Sequence, residues 1–74
     1  MVIYPNPTSR EITVNAEEVE LNNLSVYNIL GQNVIANITI KKVSKTELII
    51  DLSQLKQGIY FIRTPNYSSI VTKQ

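Results

Sequence analysis

Apolar and polar residues alternate in short runs along most of the chain, and a period of two marks extended strands rather than helices. From Glu11 to Asn15, Ile12 and Val14 share one face. From Thr46 to Asp51 the same pattern sets Leu48 and Ile50, followed by Leu52, against Glu47, Ile49 and Asp51. Leu24 and Val26 line one side of a strand ending at Asn28, with Ser25 and Tyr27 on the other. Val34, Ala36 and Ile38 extend the alternation from Asn33 to Ile40, and Ser68 to Lys73 closes the chain with Ile70 inward. A short extended start, Val2 to Tyr4, is stopped by Pro5 and Pro7, which lack a backbone donor, with turn-favouring Asn6 between them. Gly31 and Gln32 make a turn in which glycine supplies a positive φ. Ala16 to Asn23, carrying Glu17, Glu18 and Glu20, reads as a polar connection, and Lys41 to Lys45 as a basic loop.

The densest signal is Asp51 to Arg63, DLSQLKQGIYFIR. Ser53 is placed to cap one helical turn over Gln54 to Gln57, which Gly58 ends in a left-handed conformation. Ile59, Tyr60, Phe61 and Ile62 then have the composition of a central strand buried on both faces. Leu52 and Leu55 would close the core beneath it. Tyr60 stands early in a strand after a corner, where immunoglobulin-like sandwiches place a tyrosine whose hydroxyl bonds to upstream backbone. About seven short strands separated by turn residues predict an all-β fold, a small immunoglobulin-like antiparallel β-sandwich. A small open barrel is the other arrangement such strands allow.

Length and composition narrow the functions. The 74 residues form one domain, and a chain of that size buries only about 60% of its unfolded surface. There is no cysteine and no histidine, which removes disulfides, thiolate metal sites, the usual general base and the usual pH switch. An enzyme is not expected, and no cofactor is called for. A net charge of +1 gives no field to attract nucleic acid or an anionic membrane. No apolar run approaches the roughly 20 residues that span a bilayer, so direct membrane insertion is not expected. A signal peptide is also missing: Met1 leads straight to Val2, Ile3, Tyr4 and the prolines.

Individual clusters favour structural readings. Glu17, Glu18 and Glu20 lack the glycine and alternating oxygens of a calcium loop and read as a solvated connection. Lys41, Lys42 and Lys45 have no interleaved aromatic platform and serve better as edge protection. No serine or threonine has an identifiable base beside it. Asn23, Asn37 and Asn66 each open an N-x-Ser/Thr triplet, a match that arises readily in an asparagine-rich chain. Tyr4, Tyr27 and Tyr67 are the aromatic side chains available to an accessory adhesion or carbohydrate-binding module, the alternative function.

In order along the chain, Tyr4-Pro5-Asn6-Pro7, Val26-Tyr27-Asn28, Gly31-Gln32-Asn33-Val34, Asp51-Leu52-Ser53, Gly58-Ile59-Tyr60-Phe61-Ile62-Arg63 and Lys73 form a spaced series. This series resembles the C-terminal sorting domain of type IX secretion cargo proteins of Bacteroidetes, over nearly the full length. The resemblance implies a β-sandwich at the C-terminus of a larger protein that first reaches the periplasm by a separate N-terminal signal. The outer-membrane translocation machinery then recognises it, a sortase-like protease removes it, and the cargo is released or held at the cell surface. Met1 would then not be the natural start. Gly58, Tyr60 and Lys73 match the positions tied to the sorting signal, and Pro5, Asn6, Pro7 and Gly31 match its earlier motifs. One departure is Gln74, where members commonly continue with an apolar or basic residue. In physical terms the last strand is expected to leave a free edge for strand addition by a partner. The same edge would let two copies pair weakly, and deleting Ser69 to Gln74 from a cargo fusion is expected to abolish export while upstream folding survives.

Overall fold

Alternation in the sequence becomes two antiparallel sheets in the computed structural model, which describes residues 1–74. In chain order the strands are β1 (Val2–Tyr4), β2 (Glu11–Asn15), β3 (Ser25–Asn28), β4 (Thr39–Ser44), β5 (Glu47–Asp51), β6 (Gly58–Arg63) and β7 (Ser68–Lys73), with one helical turn, α1 (Glu18–Leu21). The larger sheet has the order β1-β2-β5-β4 and the smaller β3-β6-β7. That division is the constant-type immunoglobulin arrangement of two packed sheets.

Ile12, Val14, Leu48 and Ile50 from the larger sheet meet Val26, Tyr60, Ile62 and Val71 from the smaller one, and Leu21 and Leu52 complete the core. Tyr60 forms the expected corner: its hydroxyl donates to the Lys56 carbonyl at 2.6 Å. Leu55 packs against the same core from a partly buried position.

Five local expectations are overturned, each for an identifiable reason. The polar connection contains α1, which carries Glu20 and Leu21 into the interior. The alternation from Asn33 to Ile40 is not a strand. Asn33 Oδ1 accepts the Ile35 N–H at 2.8 Å and starts a 3-10 turn over Ile35–Asn37. Pairing resumes only at Thr39, so Lys41 and Lys42, expected in a loop, lie within β4, an edge strand exposed along its whole length. Residues 53–57 do not form a helical turn: Asp51 Oδ1 accepts the Ser53 N–H at 2.8 Å, and the Leu55 N–H donates to Leu52 O at 2.9 Å. Gly58 is then the first residue of β6 at φ +156°, not a left-handed helix cap.

The fourth and fifth corrections concern facing. β6 is buried on one side only, since Tyr60 and Ile62 are inside while Ile59 is 41% exposed. In β7 it is Val71 that enters the core, and Ile70 stands 56% exposed on the outer face. Both residues are apolar neighbours, so the period of two is satisfied by either facing.

Candidate functional site

Proline at positions 5 and 7 leaves the segment after β1 without donors at those two points, so it cannot continue as an ordinary strand. The peptide bonds preceding both prolines are cis. The segment crosses to the smaller sheet, where the Asn6 side chain acts as a substitute peptide group. Its Nδ2 donates to Ile70 O at 2.8 Å, and its Oδ1 accepts the Thr72 N–H at 3.0 Å. Thr8 continues the contact with its backbone. The Thr8 N–H donates to Thr72 O at 2.9 Å, and the Gln74 N–H donates to Thr8 O at 2.8 Å, in a short parallel bridge. Thr8 is itself 3% exposed, and its hydroxyl donates to Glu11 O at 2.6 Å.

This strap covers the edge that the sequence had suggested was free. In an antiparallel strand alternate residues turn both backbone groups to the same side. Ser68, Ile70, Thr72 and Gln74 therefore form the outer row of β7, and Asn6 and Thr8 occupy it from Ile70 O onward. Only Ser68 and the Ile70 N–H remain for another strand, so pairing of two copies along this edge has little to use.

Gly58 lies opposite Lys73 in the β6–β7 register, and Tyr60 opposite Val71. Six of the motif residues, Pro5, Asn6, Pro7, Gly58, Tyr60 and Lys73, are thus brought to one end of the smaller sheet. Between the strap and the chain end is a polar depression of about 490 Å³ lined by Pro5, Pro7, Thr8, Ser9, Arg10, Glu11 and Gln74. The ion pairs join Arg10 to Asp51 at 4.0 Å and Lys42 to Glu18 at 3.9 Å, and Lys73 enters neither. Hydrogen bonds from Ser53, its side chain first and its backbone N–H second, hold the Asp51 carboxyl below its ordinary range, with the Arg10 guanidinium adding to them.

Gly31 stands apart from that group. It occupies φ +81° in the turn from Asn28 to Gln32, and with Tyr27, Phe61, Arg63 and Ser68 it lines a depression of about 270 Å³ on the outer face of the smaller sheet. The three tyrosines considered for a carbohydrate platform do not assemble. Tyr4 is on the larger sheet, while Tyr27 and Tyr67 border Arg63 and Ser68 on the other. Glu17, Glu18 and Glu20 also part company, since Glu18 faces Lys42 and Glu20 turns inward, and no three acidic side chains converge on a common point.

Sequence reasoning missed Thr8, Asn28 and Glu20. Asn28 carried a weak signal, an asparagine just before a glycine turn, where its side chain favours local backbone bonds. Glu20 carried none, because its partners are distant in the chain, and the Thr8 backbone bonds to Thr72 and Gln74 are equally distant although its hydroxyl bonds locally to Glu11 O.

The amino-acid sequence matches the family of secretion system C-terminal sorting domains over residues 2–74. The chain belongs to this family. No curated protein and no solved structure matches it at a significant level. A type IX sorting domain engages the type IX secretion machinery and belongs to a secreted or cell-surface protein. No helix of this sorting domain is long and apolar enough to cross a membrane.

Proposed function

We propose that the domain is a non-catalytic address on a larger upstream protein. It presents that cargo, already in the periplasm, to the outer-membrane type IX translocation machinery. A sortase-like protease then removes it, and the cargo is released or attached at the surface.

The observation that carries this reading is the strap on β7. Asn6 and Thr8, near one end of the sequence, bond to Ile70, Thr72 and Gln74 near the other, beside the Gly58–Lys73 pair. Most of the outer backbone row of β7 is consumed within the domain. A receptor therefore reads side chains of a composite surface, Lys73 among them, rather than adding a strand along the whole of β7. Such a surface exists only in the folded sandwich, which makes folding a condition for export.

The test is a reporter with its own N-terminal signal peptide, fused ahead of the domain in a host with a working type IX system. The unsubstituted domain should move the reporter out of the periplasm; retention there would reject the sorting function. Asn6→Ala removes two hydrogen bonds worth about 0.5–1.5 kcal/mol each. It should lower the exported fraction several-fold, and Lys73→Ala should do so without changing thermal stability. Wild-type export by both variants would reject the composite surface as the signal.

A further inference from the structure

The strap and β7 run in the same direction. Asn6 bonds to Ile70 and Thr72, Thr8 bonds to Thr72 and Gln74, and the bridge between Thr8 and Lys73 is parallel. Direction decides how a pair of strands yields to tension. The antiparallel neighbours β6 and β7, drawn apart from their adjacent ends at Gly58 and Lys73, can open one pair at a time. Parallel neighbours drawn apart by the start of one and the end of the other cannot. The load then runs along both strands, crosswise to their hydrogen bonds, and strains all of those bonds together.

That is the arrangement of the two chain ends. β1 enters with Val2 opposite Asn15 and Tyr4 opposite Thr13, and leads directly into the strap. β7 runs alongside the strap and leaves just past it, where the Gln74 N–H bonds to Thr8 O. Tension between Met1 and Gln74 draws the strap backward and β7 forward. Extension requires either residues 1–8 or β7 to come away. The first route breaks the β1–β2 pairing, the second the six β6–β7 pairs, and both break the four strap bonds. Each bond is modest alone. Forced unfolding, however, is governed by the rate of leaving the native state, and bonds that must fail together raise that barrier jointly.

We propose that the strap and β7 form a mechanical clamp that keeps the sandwich folded while tension runs through it from one chain end to the other. Its use in export rests on the sorting function above: a cargo ahead of Met1 and a receptor at Lys73 pull on these two points, and the receptor reads the domain only while it is folded.

Single-molecule force spectroscopy on the domain, held between two handle proteins, tests the clamp. The chain has no cysteine, so Q57C, at an exposed position just ahead of β6, supplies a unique second attachment point. Pulling from position 57 against Gln74 opens β6 and β7 from the Gly58–Lys73 pair onward. It should need several-fold less force than pulling from Met1 against Gln74. N6A removes two of the strap bonds and should lower the Met1–Gln74 force by roughly a quarter or more. I50V thins the core away from the strap, lowers equilibrium stability to a similar extent, and should leave that force unchanged. Equal forces in the two pulling directions overturn the clamp, as does an unchanged force in N6A or a loss in I50V as large as that in N6A. These readings need no export host, so failure of the clamp is distinguished from failure of sorting, which retention of the unsubstituted reporter in the periplasm reveals.

Discussion

Glu20 is 2% exposed and has no cation within 4.0 Å. Its Oε1 accepts the Thr64 hydroxyl at 3.1 Å and the Asn66 N–H at 2.9 Å, and its Oε2 accepts Asn66 Nδ2 at 3.0 Å. These bonds tie α1 to the turn between β6 and β7. Glu20→Leu keeps the volume but leaves those donors unpaired in the interior, and should cost about 2–3 kcal/mol. Glu20→Gln should cost under about 1 kcal/mol, because the Asn66 amide can turn over to meet it. Urea unfolding measures both, and equal stability of Leu and wild type would reject the clamp. Tyr60 was legible in the sequence because its partner Lys56 is four positions away, whereas the partners of Glu20 lie 44 and 46 positions away. No local pattern distinguishes a glutamate that will be buried from Glu17 or Glu18 beside it.

Most strands, and the facing of β2, β3 and β5, were readable, whereas β4, the facing of β6 and β7 and the cover on β7 were not. β2 and β5 were plain because charged and polar residues break up their apolar positions cleanly. Asn33 to Ile40 misled because its scattered apolar residues satisfy a period of two, while the Asn33 side chain offers the backbone a competing local bond. β7 misled differently: it pairs with β6 along its full length, and Val71 is fully buried against the larger sheet. Removing Ser69 to Gln74 therefore opens the core over Tyr60 and Ile62 and deprives Asn6 and Thr8 of their partners. The truncated domain should show no cooperative thermal transition by circular dichroism. A retained sharp transition would reject this dependence of the core on β7. β4, with Lys41 and Lys42 on an edge strand, keeps the role of edge protection expected of those lysines.

For the molecule as a whole, the sandwich was legible from seven short strands and a corner tyrosine, since few architectures satisfy both. The candidate surface was not, because the strap joins residues from opposite ends of the sequence and uses a side chain to imitate a backbone group. Ten buried side chains serve both sheets as one cluster. With 74 residues, a total stability of about 4–11 kcal/mol is expected. Ile50→Ala in the larger sheet and Ile62→Ala in the smaller should each cost about 2–5 kcal/mol. Both should move the same single transition, seen alike by circular dichroism and tyrosine fluorescence. Separate transitions for the two sheets would contradict a shared core.

The strand register also sets the directions in which the two chain termini depart. Val2 lies opposite Asn15, whereas Gln74 bonds to Thr8, whose hydroxyl reaches Glu11 at the other end of β2. Glu11 and Asn15 are separated by about 13 Å of extended chain. A bulky body joined ahead of Met1 would hang from one pole of the sandwich and cast no steric shadow on the opposite pole, leaving it open to approach whatever the size of the passenger.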